Sequence, residues 1–427
     1  MTDVAETGAG RTGAGQERPA ALAEPTVPVR KGWMSLLFLA NIGLWLGVYA
    51  PIQVLLPTQA ELLDAANKEF VFGLVTGIGA FVSLIANPLI GLLSDRTCSR
   101  FGRRHPWTIA GATLGAAGLV VLASAGNIGV MVLGWCLVQA GLNGMLATLT
   151  AAVPDRVPVD QRAQIGGLVG ISQMLGTVLG AVLVTVIVTS LPGGYFACAA
   201  VVVVGGIAFV LLTPDAALPV AFRPAAKFRE VMANLWISPR AHRDFAWAWS
   251  CHFMIMMGNA LGTLFLLFFL RDAVHYVDPD TGLLIMMGLY GVALIFGAVL
   301  TGHFSDKSGR RKPYVLGAAA IMAIAALILT VWQSWPAALV ASPLLGVGFG
   351  AYMAVALAIL TQVLPAAEDR AKDLGVVNIA NSLPQVIAPL ASAVILAQLG
   401  GYRGLFAASA VATVVAGVLI TRVRSVR

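Results

Sequence analysis

The chain has 427 residues, of which 58% are hydrophobic and only 11% charged. A soluble domain carries about 25% charged residues, so a water-soluble enzyme or scaffold is excluded and a chain threaded repeatedly through a bilayer remains. The net charge of +7 would suit nucleic acid if the cations shared one face. They recur instead in short clusters between apolar runs, and no aromatic residues are set out for base stacking, so no nucleic-acid partner is expected.

Residues 1–32 are rich in Gly, Ala, Pro and Glu and have no apolar period. They bury too little to order themselves and are expected to form a disordered cytoplasmic tail. The first apolar run is longer than a signal-peptide core and has no clear cleavage site. Twelve segments reach the roughly 20 apolar residues that cross the hydrocarbon core. They lie at about 34–56, 70–93, 107–126, 128–153, 165–189, 194–213, 244–270, 281–303, 313–332, 335–363, 374–399 and 403–421.

Span one carries Asn41, Trp45, Tyr49 and Gln53, each four residues apart, which puts them on one slowly drifting stripe. Span two ends in Gly91-Leu-Leu-Ser-Asp95-Arg96, followed by Gly102, Arg103, Arg104, His105 and Pro106. Span four holds Gln139 and Asn143, and span five holds Gln173. After span six comes the one long connection, 214–243. Span seven contains His252 and Asn259. His252 lies about 12 Å into the membrane at 1.5 Å per residue and is the one imidazole well inside a span. It is a candidate proton carrier, with a neutral ring bonded to a neighbouring span as the alternative. Span eight ends in Gly302-His-Phe-Ser-Asp306-Lys307, then Gly309, Arg310 and Arg311. Span ten holds Gly346, Gly348, Gly350 and Tyr352, a pattern for close packing or a bend. Span eleven carries Asn378, Asn381, Ser382 and Gln385 on one helical face. Spans three, six, nine and twelve have no interior amide.

Of 27 Lys and Arg, only Lys68, Arg271 and Arg403 fall in the loops opposite the termini. The positive-inside rule then places both termini in the cytoplasm. The four cysteines, Cys98, Cys136, Cys198 and Cys251, fit neither a zinc site nor a redox pair; they are small apolar filler. No metal and no cofactor are expected.

The loop after span two repeats after span eight. Gly102 and Gly309 stand 207 residues apart, and Arg162 before span five and Arg370 before span eleven stand 208 apart. A six-span unit has been used twice. Two such units related by an axis along the membrane normal make a transporter architecture with the solute held between them. The chain divides into the tail, an N-terminal bundle at 33–213, a cytoplasmic linker at 214–243 and a C-terminal bundle at 244–427.

The motif Gly91-x-x-x-Asp95-Arg96…Gly102-Arg103-Arg104, with its second copy, resembles the signature loop of the major facilitator superfamily over residues 30–425. Its longer form, SDRTCSRFGRRHPW, and Pro154-Asp155-Arg-Val-Pro158…Gln161-Arg162 look closest to the sucrose/proton and glycoside–pentoside–hexuronide cation symporters. The resemblance implies an all-α membrane protein with twelve helices in two pseudo-symmetric bundles. It also implies that Asp95 packs across the half-interface near the start of span eleven, and Asp306 near the start of span five. The motif arginines, with Arg162 and Arg370, can then pair with Asp95, Asp155, Asp160, Glu368, Asp369 or Asp373 as a gate that closes the cytoplasmic side.

Embedded amides face a cavity or glue helices together. With the aromatic pair of span one they suit a neutral, hydroxyl-rich solute, because aromatic faces stack and amides both donate and accept. No Asp, Glu, Lys or Arg lies deep in any span. Drug/proton antiporters of the superfamily usually hold an Arg in span four, where Leu137 stands here, and a Gly-Pro motif in span five, which is absent. The sugar symporters usually hold a coupling carboxylate in span four, where only Gln139 and Asn143 occur. The expected function is transport of a small neutral solute, a sugar or glycoside, with or without a proton, by a monomer in the cytoplasmic membrane. The alternative is export of a drug-like or secreted metabolite by proton antiport. A membrane enzyme would need clustered catalytic groups, and His252 stands alone.

Overall fold

Backbone amides have no water to bond in hydrocarbon, so a spanning chain satisfies them within helices. The computed structural model describes residues 19, 21–22, 24–223, 242–363 and 370–425. The side chains of residues 163, 306, 357, 361, 370–376 and 378 are not among those described. Twelve of its helices are long and apolar enough to cross a membrane, and no strand occurs among the described residues. They are α1 (Lys31–Leu63), α2 (Lys68–Asp95), α3 (His105–Ala123), α4 (Ile128–Arg156), α5 (Val159–Ile187) and α6 (Leu191–Leu212). The second set is α7 (Arg243–Asp272), α8 (Pro279–Ser308), α9 (Lys312–Val331), α10 (Trp335–Gln362), α11 (Arg370–Gln398) and α12 (Gly401–Arg422).

Many helix ends run past the apolar segments read from sequence. α2 begins at Lys68, α4 continues to Arg156 and α8 to Ser308. The hydrocarbon limits where apolar residues are needed, but the backbone ladder continues into the headgroup layer until a capping group stops it. Gly309 ends α8 with a φ of +62, a left-handed position that glycine takes without strain.

Proline does not break α1. Pro51 has no N–H, and the helix widens into a π-turn over Pro51–Leu55, where the Leu56 N–H reaches back to the Pro51 carbonyl. α5 widens in the same way over Leu183–Ile187. α7 is broken at Leu264 and Phe265 and resumes as Leu266–Asp272.

The packing repeats in the two halves. In the first half α3 packs on α4 and α6, α1 on α5 and α6, and α2 on α4. In the second half α9 packs on α10 and α12, α7 on α11 and α12, and α8 on α10. Small residues permit these approaches. A methyl at Gly111 would strike the Gly141 carbonyl, and methyls at Gly346 and Gly350 would strike the carbonyls of Tyr290 and Leu294. The glycines of span ten are thus packing devices against α8, with Gly348 doing the same against α9.

Between halves, α2 meets α11 and α5 meets α8. The face carrying residues 24–30 and 423–425 is the terminal face, and its opposite the far face. Toward the far face Gly73 and Gly77 of α2 lie against Pro389, Ala393 and Leu390 of α11. Toward the terminal face Gly91, Gly166, Gly167, Gly170 and Gly302 have nothing among the described residues within 4 Å of where a side chain would start. Among the described residues, the glycine contacts between the halves thus lie toward the far face.

Candidate functional site

The loop between α2 and α3 is built around Arg104, which is only 5% exposed. Its guanidinium bonds Asp95 Oδ1 at 2.5 Å, Asp155 Oδ2 at 2.8 Å and Ser94 Oγ at 2.5 Å. Arg103 reaches the other oxygen of Asp155 at 2.5 Å. Burial works against the Arg104 charge, but the hydrogen bonds and charges of Asp155 and Asp95 outweigh it and raise the pKa above its ordinary value. The two motif arginines thus share one carboxylate at the end of α4.

Asp215, just after α6, closes this loop from the other side. Its Oδ2 accepts from the backbone N–H groups of Arg104 at 2.6 Å and His105 at 2.9 Å. It thereby satisfies free donors at the start of α3 and sets a negative charge there. Gly102 makes room for it: its φ is +92, and a side chain there would overlap the Asp215 carboxyl. The ring of His105 meets Thr213 Oγ1 at 3.1 Å. Sequence reading missed Asp215, because the only signal was an acid following a Pro at the end of span six.

All these pairs lie within the first half. The expected contact of Asp95 across the half-interface falls on α11 residues whose side chains are outside the description, as are the side chains of Asp306 and Arg370. Glu368 and Asp369 are also outside the described residues. In the second copy, Ser305 Oγ donates to the Arg310 carbonyl at 3.3 Å, and Arg310 is exposed. Arg311 is half-buried. Arg162 binds back to the Val157 carbonyl at 3.0 Å and the Pro154 carbonyl at 3.3 Å, and meets Glu24 of the tail at 3.4 Å. Val29 of the tail donates to Gln161 Oε1 at 3.0 Å. Arg96 has a buried Nε without a hydrogen-bond partner among the described residues.

In the middle of the helices, Trp45 and Tyr49 stack with ring centres 5.7 Å apart. Gln173 of α5 donates to Tyr49 Oη at 3.3 Å. Gln53 reaches across the halves to Met287 Sδ of α8 at 3.6 Å. Trp45 Nε1 and Gln53 Oε1 have no hydrogen-bond partner among the described residues. Asn143 donates to Gln139 Oε1 at 2.9 Å, one turn away on α4. Asn259 accepts from Tyr290 of α8 at 3.0 Å. Gln385 is exposed, and the Asn378 side chain lies outside the described residues. Asn41 differs: it is 2% exposed and donates to the Leu37 carbonyl of its own helix, which is a packing arrangement rather than a cavity-facing one.

His252 sits between two partners, Tyr352 Oη of α10 and Asn381 Oδ1 of α11, each at 2.6 Å. A carbonyl oxygen only accepts, so Nε2 carries a proton toward Asn381 and the neutral ring accepts from Tyr352 at Nδ1. A second proton at Nδ1 would turn Tyr352 Oη from donor to acceptor and place a charge on a ring only 3% exposed. Sequence analysis placed His252 and Asn381 in different roles; the fold puts them in contact. Tyr290 and Met287 went unread because α8 has no amide to mark it.

This is the architecture of a solute transporter: two six-helix halves with amides and aromatics along the helices that line their boundary. The family model of the Major Facilitator Superfamily matches residues 33–286 and 248–427, and the chain belongs to that superfamily. It is a multi-pass membrane transporter, not an enzyme. The solved structure of the peptide transporter POT superposes with a TM-score of 0.74 at 15% identity, covering 92% of this chain and 96% of that one. The nucleoside transporter NupG gives 0.71 at 14%, covering 92% and 99%. At such identities the likeness is one of fold. Among curated relatives, an uncharacterized symporter of Synechocystis sp. is 56% identical over 39 residues, 9% of this chain and 7% of its own length. The general alpha-glucoside permease of Schizosaccharomyces pombe is 25% identical over 122 residues, 24% of this chain and 22% of its own. The matched stretches are thus less than a quarter of either relative.

The shared carboxylate makes a prediction. Asp155→Asn leaves the Arg103 and Arg104 guanidiniums without their common partner. Breaking a buried pair costs about 3–5 kcal/mol, so thermal unfolding of the purified variant should start many degrees lower. An unchanged melting curve would remove Asp155 from the support of this loop.

Proposed function

We propose that the chain moves a small neutral, hydroxyl-rich solute, a sugar or glycoside, across the cytoplasmic membrane by alternating access. The observation that carries this reading is the stacked Trp45–Tyr49 pair, with Gln173 on Tyr49 and open polar atoms on Trp45 and Gln53. Sugars offer an apolar ring face to an aromatic and hydroxyls to amides. The relatives named as a symporter and an alpha-glucoside permease agree with it. The solute contacts assigned are Trp45, Tyr49, Gln53, Gln139, Asn143, Gln173, Asn259, Asn378, Asn381 and Gln385. Asn41 drops to a packing role. The superfamily's antiport reading has less support, because Leu137 stands where those proteins hold a span-four arginine.

The division into bundles at 33–213 and 244–427 with a linker at 214–243 belongs to the same proposal. So does the orientation with termini inside, which rests on the cation excess. The structure then corresponds to a state closed on the outside. Asp95, Arg96, Arg103 and Arg104, with the second copy at Asp306, Arg310 and Arg311, act in closing the inside. Arg162 and Arg370, at the starts of α5 and α11, belong to the same gate. Asp95→Asn should keep membrane insertion and solute binding while slowing net transport severely; transport at the unmutated rate would end the gating role.

His252 is the coupling candidate. A proton gained at Nδ1 charges a ring that already holds Asn381, so proton and solute would share one element.

Liposomes loaded with the protein and offered a panel of labelled sugars test the solute class. Saturable uptake of at least one mono- or disaccharide is expected; its failure across the panel, with export of a drug-like or secreted metabolite instead, would favour the antiport reading. In the same liposomes His252→Asn should abolish accumulation driven by a pH gradient while leaving solute exchange intact. Accumulation that survives the change would place the coupling group elsewhere.

A further inference from the structure

The far face is closed by charge, and the charges come from both halves. Lys68, at the start of α2, is shared between Glu61 of α1 at 3.0 Å and Asp272 of α7 at 2.6 Å. Its side chain is only 11% exposed, and its ammonium lies 5.5 Å over the ring of Phe268. Arg271 of α7 returns the contact, binding Glu61 Oε2 at 2.6 Å and Thr58 Oγ1 at 3.1 Å, with Asp280 of α8 at 3.3 Å. Tyr402 of α12 donates to Asp272 Oδ2 at 2.9 Å and stands 3.3 Å from Glu69 Oε1 of α2. Two of the three cations in the loops of this face are therefore committed to holding the halves together.

The network is not charge-balanced. Glu61, Glu69, Asp272 and Asp280 face Lys68 and Arg271, and the single hydroxyl proton of Tyr402 must serve both Glu69 and Asp272. The remaining groups nearby do not correct this. Asp64 is bonded to Asn67, Asp278 caps Thr281, the His275 ring faces the Arg271 carbonyl and Arg403 is exposed beside Tyr402. Four carboxylates thus share two cations and one hydroxyl.

We propose that this network is an outer latch released by external acid. A proton from the outer solution bonds to a carboxylate oxygen of Asp272 or Glu69, and the new carboxyl donates to Tyr402 Oη or to the other carboxylate. Asp272 is Lys68's partner across the halves, so its neutralisation removes the ion pair while Glu61, in the same half as Lys68, stays bound. Arg271 alone, through Glu61 and Thr58, then holds the last two turns of α7 to the first half. They begin at the break at Leu264 and Phe265, beside an apolar pocket lined by Gly262, Thr263, Leu266 and Ser342. The break gives this buried segment a joint at which it can turn relative to the rest of α7. Acid outside thus favours the outward-open state whatever the solute. The proposal rests on the orientation given above and not on the sugar assignment or on His252.

The test needs no solute. Spin labels on Leu62→Cys and Val277→Cys, exposed positions at the far ends of the two halves, report the opening in nanodiscs, with Cys98→Ser and Cys136→Ser to limit stray labelling. Free carboxylates titrate near pH 4, so distances are compared at about pH 7.5 and about pH 3.5. A longer distance should appear in acid with the unmutated latch, at both pH values with Asp272→Asn or Lys68→Met, and to a smaller extent with Glu69→Gln. The same short distance at both pH values, a short distance retained in Asp272→Asn, or a pH response abolished by Asp155→Asn at the opposite face would overturn it.

Discussion

A charge left unpaired in hydrocarbon is expensive, and the rest of this molecule is arranged around that cost. Every ion pair among the described residues sits at a helix end or in a connection. The middles of the helices are held by small residues, amides and aromatic rings instead. Ionic control is thereby confined to two layers, one at each face. Among the described residues the helix interiors offer neutral donors and acceptors, and ion pairs occur only toward the two faces.

The two ionic layers are built differently. On the terminal face Arg103, Arg104, Asp95, Asp155 and Asp215 tie α2, α3, α4 and the end of α6 into one half. On the far face Lys68, Glu61, Arg271 and Asp272 cross from one half to the other. A rigid half with a prepared loop on one side and a bonded seam on the other is what a two-position machine needs. One layer can trade partners while the other holds.

Much of the fold was legible in the sequence because hydrocarbon imposes a length and a polarity on each segment. The twelve spans followed from that alone, and the twofold repeat from the spacing of the duplicated loop motifs. Helix ends were less legible, since headgroups tolerate charge and Lys68, Arg156 and Ser308 extend their helices into that layer. Asn41 shows the limit for the site. It shares a stripe with Trp45 and Tyr49, yet its amide is turned onto its own helix. Periodicity locates a face, but it does not say which side chain on the face is already satisfied.

By itself the sequence determined that the chain spans the membrane twelve times, that its halves repeat, and that its cations fall overwhelmingly on one face. These are properties of local composition and spacing. Only the tertiary structure decided that His252 meets Asn381 and Tyr352, that Asp215 caps α3, and that Lys68 and Arg271 join the halves. Partners such as Lys68 and Asp272 stand 204 residues apart. Their meeting depends on how the helices of the two repeats lie against one another, which no local pattern encodes.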